Sequence, residues 1–439
     1  MMRLRLRDRL GRKAAARFRV RPVSEGALRR DGNALLVPGP DWEAAGRAAA
    51  DALPESVDAL VVEASALPPA DAVALATGLA MRLPLTVRLD LWHEQATALV
   101  PLWDRAWAVL QGVAFARALV EAPGNALTPK AMAKRLKRLR EHGIAVQVLG
   151  RRALRAAGFG GLLAVGQGSA HPPRLVVLRW AGRIAAPPVV FVGKGVTFDT
   201  GGLCVKPAEG MAAMRADMAG AAACAGAMLA LALRDSPAPA AAVLPLAENA
   251  IGAEAYRPGD VLTLLSGRSV EVVDTDAEGR LLLADALHYA RLAFRPAALV
   301  DLATLTGAAV TALGHHRAAL FGNDPPLLAA VAASGAAVGE PAWPLPVTQA
   351  HRADLASEIA DLKQCASGRG QPDACHAAAF LQAALEEALP PAPAMPWAHL
   401  DMAGLATRPQ GEGRPGATGY GVRLLDRLVA CRFEDPHRL

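Results

Sequence analysis

Residues 272–287 read VVDTDAEGRLLLADAL, three carboxylates and an arginine packed onto a short turn ahead of an apolar run of helical length. Asp274, Asp276, Glu278 and Arg280 occupy every second position. In an extended segment that spacing points all four the same way. Two carboxylates ~4 Å apart repel by about 4 kcal/mol at an effective dielectric of ~20, so a folded cluster of this kind must take up protons, an ammonium or a metal. For the segment alone, a solvated acidic turn is the competing reading. A second cluster upstream weighs against it.

That cluster is VGKGVTFDTGGLCVKPAEGMAAMRADMAGAAA (192–223), in which a strand-like run, PPVVFVG, leads into Lys194, Asp199, Lys206 and Asp217. Glycines at 193, 195, 201 and 202 bracket the polar residues. Glycine permits the close backbone approach that a loop wrapping an ion requires. Beyond Asp217, the almost uncharged AGAAACAGAMLALAL is too short to cross a bilayer and reads as a buried helix. A lysine beside metal-binding carboxylates can itself be a ligand once neighbouring cations lower its pKa, a shift that arginine does not make.

These segments resemble the leucine aminopeptidase family, cytosol aminopeptidases with two metal ions per site. The resemblance rests on Asp274-Thr275-Asp276-Ala277-Glu278-Gly279-Arg280-Leu281, on the VGKG and FDTGG segments, and on Lys206-Pro207 and Arg215-Ala216-Asp217-Met218. DLATLTGA (301–308), WAHLDMAG (397–404) and TGYGVRLL (418–425) follow in order. The resemblance implies a tightly held metal bound by Lys194, Asp199, Asp217 and Glu278. A second, more exchangeable metal would be bound by Asp199, Asp276 and Glu278. Four carboxylates then meet two divalent ions, leaving a near-neutral site. Oxygen ligands with one amine suit Mn, Zn, Mg or Co. Mn or Zn is the expectation.

Such a pair of ions activates water and polarises a scissile carbonyl, and a metal contact to the free α-amino group would confine cleavage to N-terminal residues of peptides. The resemblance further implies Lys206 as the catalytic lysine stabilising the oxyanion, and Arg280 as the holder of a proton-shuttling bicarbonate. Thr304, Leu305 and Gly307 would line the substrate backbone, Met214 the pocket for its first side chain. A homohexamer with interior active sites is implied as well. Three departures stand out. Asp274 replaces the usual asparagine, and Ala406 stands where a larger pocket residue is common. The stretch 361–380 carries Cys365, Cys375 and His376 in a connection that is usually glycine-rich, at a spacing that fits no structural zinc pattern.

At 439 residues and 53% hydrophobic, the chain can bury a large core. Apolar strands (RLVVLRW, PPVVFVG, AAVLPLAE, AALVDLATL, PWAHLDMAG) alternate with helical stretches, which predicts an α/β fold with a central, largely parallel or mixed sheet flanked by helices. The expected organisation is a smaller N-terminal α/β domain (1–100), a linker helix (101–122) and a catalytic domain (123–439). Five scattered cysteines fit a reducing, cytoplasmic compartment, and no membrane insertion or secretion is expected. Residues 1–30 hold ten arginines and one lysine against two acids, more than the whole net charge of +6. The opening RLRLR reads as an edge strand with arginines outward. A DNA-binding regulatory role for this segment, and another dinuclear hydrolysis such as that of a phosphoester, are the alternatives to an aminopeptidase.

Overall fold

The computed structural model describes residues 4–7, 18–23, 27–31, 34–54, 57–83, 87–366, 368, 370–386, 395–408 and 415–435. The chain divides into two units, Met1–Ala114 with Gln410–Arg414, and Phe115–Pro409 with Pro415–Leu439. The first unit holds a six-stranded sheet in the order Leu4–Arg7, Arg88–Trp92, Ala59–Glu63, Phe18–Val23, Ala34–Pro38, Arg29–Asp31. All its pairings are parallel except the last. Leu4–Arg7 is an edge strand, as RLRLR predicts; the direction of its arginines and residues 8–17 lie outside the described residues. The predicted linker is a longer helix, Ala96–Val120, with Pro101 inside it.

The second unit is built on a nine-stranded mixed sheet. Its four central strands, Trp397–Asp401, Ala298–Ala303, Val189–Gly193 and Ala240–Asn249, run parallel to one another. Ala318–Gly322 and Arg174–Trp180 flank them antiparallel. Ala342–Pro344 and Ala145–Leu149 complete the two edges. The central strands are unbroken apolar runs because helices cover both faces. Ala219–Leu233, backed by Val422–Arg432, packs on the central strands from one side, and Gly279–Phe294, backed by Asp373–Leu385, packs on them from the other. Val190, Val192, Val243 and Leu299 share a core with Leu283 and Leu287 of the second helix, and each such fully buried side chain contributes about 1.5–3 kcal/mol. Ala219–Leu233 is buried throughout its first thirteen residues, so its hydropathy serves the core of the protein.

The sheet also sets up the site. The long strand Ala240–Asn249 pairs first with Val189–Gly193 and then, further along the same direction, with Gly195–Asp199. Between these two stretches the pairing is interrupted at Lys194. Its N–H instead bonds Leu302 O at 3.0 Å, and its carbonyl accepts from Ala221 N at 2.8 Å. Asp199, Asn249, Ala303 and Asp401 all end parallel strands at the same edge, where open α/β sheets place their ligands.

Candidate metal centre

Lys194 is 3% exposed, and its ammonium has three partners: Asp217 Oδ1 and Glu278 Oε1, each at 2.8 Å, and Thr304 O at 2.7 Å. Asp217 arrives at the end of the 3-10 turn Ala212–Ala216, just before the buried helix, and its Oδ1 also accepts from Thr304 Oγ1 at 2.7 Å. Glu278 directly precedes the helix Gly279–Phe294, and its side chain makes no capping bond to that helix. Glycine is required at the next position, because a Cβ on Gly279 would lie 2.7 Å from Lys194 Cε. Burial works against the Lys194 charge, but Asp217, Glu278 and Asp199 outweigh it and raise its pKa above the ordinary lysine value.

Lys206 closes the other half. The segment after Asp199 turns back on itself at Gly201, where φ is +87° and a Cβ would meet Cys204 O at 2.3 Å. Lys206 N then bonds Thr200 O at 2.9 Å, which returns the lysine over the strand end. Its ammonium lies 2.8 Å from Asp199 Oδ2 and 2.5 Å from Asp276 Oδ1. Despite partial burial, these two carboxylates raise its pKa. The remaining oxygen of Asp199 accepts from Gly201 N at 2.9 Å and from Asn249 Nδ2 at 2.8 Å.

Four carboxylates, Asp199, Asp217, Asp276 and Glu278, thus face two ammonium groups. The shortfall in positive charge shows in the acids themselves. Burial, then Asp199, pushes Asp276 up to about 7 against the pull of Lys206. Burial and neighbouring acids likewise raise Asp217 and Glu278. Oxygens of Asp199, Asp276 and Glu278 lie within 4.8 Å of one another, and the buried Asp217 Oδ2 takes no hydrogen bond. The donor set and its unbalanced charge therefore fit divalent cations.

The loop between Val272 and Gly279 is a turn leading into a helix, as the sequence predicts, so the one-way alignment of an extended segment does not apply. Asp274 does not join the cluster. Its Oδ1 accepts from Asp276 N at 2.8 Å, so the acid that replaces asparagine ties the turn. Thr275 O accepts from Asn249 Nδ2 at 3.0 Å and from Tyr256 Oη at 2.7 Å. Gln364, fully buried, donates to Asp274 O at 2.9 Å and accepts from Val273 N at 2.7 Å, clamping the turn from behind. Arg280 pairs with none of the four carboxylates among the described residues, its guanidinium bonding Gln364 O at 2.8 Å and Asp373 Oδ1 at 2.7 Å. Asp373 thus occupies the guanidinium on which the resemblance places bicarbonate.

Of the substrate candidates, Thr304 is committed to Lys194 and Asp217. Leu305 N is held by Asp401 Oδ1 at 3.1 Å, and Gly307 is exposed with open space where a Cβ would be. Met214 is half-buried in the turn before Asp217. In the 361–380 stretch, His376 pairs with Asp354 at 3.0 Å, and among the described residues its cysteines join no group suited to a metal. Asn249, Gln364, Asp373 and Asp401 escaped the sequence reading. The one available signal was polar side chains terminating apolar strands, LAEN and HLD.

Residues 114–426 match the cytosol aminopeptidase family, catalytic domain. A probable cytosol aminopeptidase of Gluconobacter oxydans is 44% identical over 348 residues, covering 79% of this chain and 69% of the relative. One of Brucella melitensis is 46% identical over 335 residues, covering 76% and 67%, so the matched segment spans about two thirds of these relatives. Among solved structures, the bottromycin maturation enzyme BotP in complex with Mn is similar with a TM-score of 0.82 and 33% identity, over 94% of this chain and 99% of that one. A leucyl aminopeptidase from Trypanosoma cruzi has a TM-score of 0.81 and 31% identity, over 91% and 82%. Because the family match takes in most of the chain and the relatives at 44% and 46% identity are matched over about two thirds of their length, this chain belongs to the cytosol aminopeptidase family and is a peptidase of the hydrolase class.

Proposed function

We propose that this chain removes N-terminal residues from peptides by a reaction that depends on two divalent cations. The observation that carries this reading is the convergence of Asp199 and Asp217 with Asp276 and Glu278, from loops far apart in sequence, with Lys194 and Lys206 as their ion-pair partners among the described residues. Lys194, Asp199, Asp217 and Glu278 would hold one cation, and Asp199, Asp276 and Glu278 the other. Mn or Zn is the proposed metal, in line with the Mn named in the BotP structure. When bound, the pair would supply a polarised carbonyl and an activated water.

The chain's own residues do the rest. Lys206 pairs with Asp199 and Asp276 and its side chain is 20% exposed, so with cations on those carboxylates its ammonium would be placed to turn toward a developing oxyanion. Lys194 would hold its cation as a neutral amine, giving its proton up to solvent as the cation's charge replaces that of the ammonium. Asp276, with its side chain 33% exposed, is the acid of the cluster most open to an incoming peptide amino group. Thr304 anchors Lys194 and Asp217 from the strand end, so the ligands are oriented by the sheet. Short or unfolded peptides are the proposed substrates, in the cytosol as the relatives' names suggest, and the proposed assembly is a homohexamer.

Loading the protein with Mn or Zn and comparing a leucyl anilide with a phosphate ester tests the reading. Metal-dependent release of the anilide, with no turnover of the ester, is the expected result; the reverse selectivity would assign the same carboxylates to phosphoester hydrolysis.

A further inference from the structure

Arg280 lies two residues beyond Glu278 and is 2% exposed. Its guanidinium cannot lose its proton in a protein, so burying it makes a counter-ion obligatory. Among the described residues, the one carboxylate within ion-pair reach is Asp373, at 2.7 Å. Gln364 O takes NH1 at 2.8 Å, and the buried Nε has no hydrogen-bond partner.

Asp373 lives in different surroundings from the arginine it balances. Its side chain is 40% exposed, and only Oδ1 is engaged by the guanidinium. It is the first residue of the thirteen-residue helix Asp373–Leu385, directly after Pro372, and this helix packs along Gly279–Phe294, the helix that carries Arg280. Two packed helices therefore fix the pair, and a carboxylate in a first helical turn is favoured by the N-terminal end of the helix dipole. The result is a carboxylate anchored to a buried cation on one side and open on the other, tied through Arg280 to the first turn of the helix that begins after Glu278.

We propose that Asp373 is the resident anion of Arg280: a positioning residue that occupies the guanidinium from within the chain, so that no dissolved carboxylate or bicarbonate binds there and turnover does not depend on one. The kinetic part rests on the aminopeptidase reading above; the binding part does not.

The test uses the full chain and three proteins: the native sequence, Asp373→Ala and Asp373→Asn. Calorimetric titration with bicarbonate and with formate should show no binding to the native protein and millimolar binding to Asp373→Ala, where the guanidinium is opened. With Mn and a leucyl anilide in bicarbonate-free buffer, the native protein should change rate by less than about twofold on adding either anion. Asp373→Ala should lose at least tenfold in kcat with little change in KM and regain most of it as either anion is added. Asp373→Asn, which fills the space without charge, should lose rate and not be rescued. Bicarbonate binding to the native protein, or several-fold activation of it, would overturn the proposal. So would an Asp373→Ala protein that melts normally and retains Mn yet neither binds nor responds to anions. If that variant fails to fold, the native titration and the Asp373→Asn rates still decide. A native protein that binds no anion and hydrolyses no anilide would sink the aminopeptidase reading and leave the anion assignment standing.

Discussion

Lys194 and Lys206 hold the same group of acids from opposite positions, one sealed in the sheet and one on a folded-back loop, and substitutions should separate them. Lys206→Met is expected to lower kcat by about 100- to 1000-fold, the usual cost of removing one oxyanion donor, while Mn content measured by elemental analysis stays near that of the parent. Glu278→Gln should lose both turnover and most of its metal, since Glu278 is buried against Lys194 and has an oxygen within 4.8 Å of those of Asp199 and Asp276. Asn249→Ala removes the amide that holds Asp199 Oδ1 and Thr275 O, and should weaken metal affinity by about 10- to 100-fold in a competition titration, as outer partners of metal ligands do. At this scale the acids and lysines were legible, because charged side chains in apolar sequence have few places to go. Gln364 and Asn249 were not, since an amide has no charge to betray it and its importance comes from which backbone groups it meets.

The decisive elements are the interrupted strand 189–199 and the helix Gly279–Phe294, and both depend on close contact. Gly279→Ala would set a methyl group 2.7 Å from Lys194 Cε, and that lysine is pinned by three partners. The expected cost is about 1–3 kcal/mol, seen as a lower urea midpoint together with weaker Mn retention. Helix Gly307–Leu313 starts at Thr306, whose Oγ1 accepts from Ala309 N at 3.1 Å and donates to Asp401 Oδ2 at 2.7 Å. Thr306→Ala should therefore cost about 1 kcal/mol as a lost cap. Apolar runs predicted the central strands and the buried helix after Asp217 well, because length and hydropathy suffice for elements covered on both faces. The short turn at 272–279 was legible as well, but not what ties it: Asp274 accepts from Asp276 N, a local contact that spacing does not reveal.

Across the whole molecule, cation binding and proton binding should both register in stability. Metal bound to the folded site alone stabilises by mass action, about 2.7 kcal/mol at a hundredfold excess over Kd, so chelation should lower the melting temperature and added Mn restore it. A pH effect is expected away from the site, at Glu340. This residue accepts from Gly421 N at 3.0 Å and Leu424 N at 2.9 Å, and burial pushes its pKa up to about 7 despite Arg423 and those amides. Its folded pKa exceeds its unfolded one, so its contribution is fully present below about pH 4.3 and is lost as pH rises toward 7. Glu340→Gln keeps an acceptor for the two amides and should flatten that part of the melting curve against pH; an unchanged slope would assign the effect elsewhere. The sequence by itself determined the α/β class, the order of its apolar strands and the identity of the acids and lysines, because burial of apolar runs and the cost of unpaired charge act on composition and local order. Only the tertiary structure decided which charges meet. Lys194 faces Asp217 and Glu278, Lys206 faces Asp199 and Asp276, and Arg280 pairs with Asp373. Apart from Lys206 with its near neighbour Asp199, those pairings join residues 23 to 93 positions apart, and such separations close only when the parallel strands align their ends and the helices on either face fix how each turn leaves the sheet.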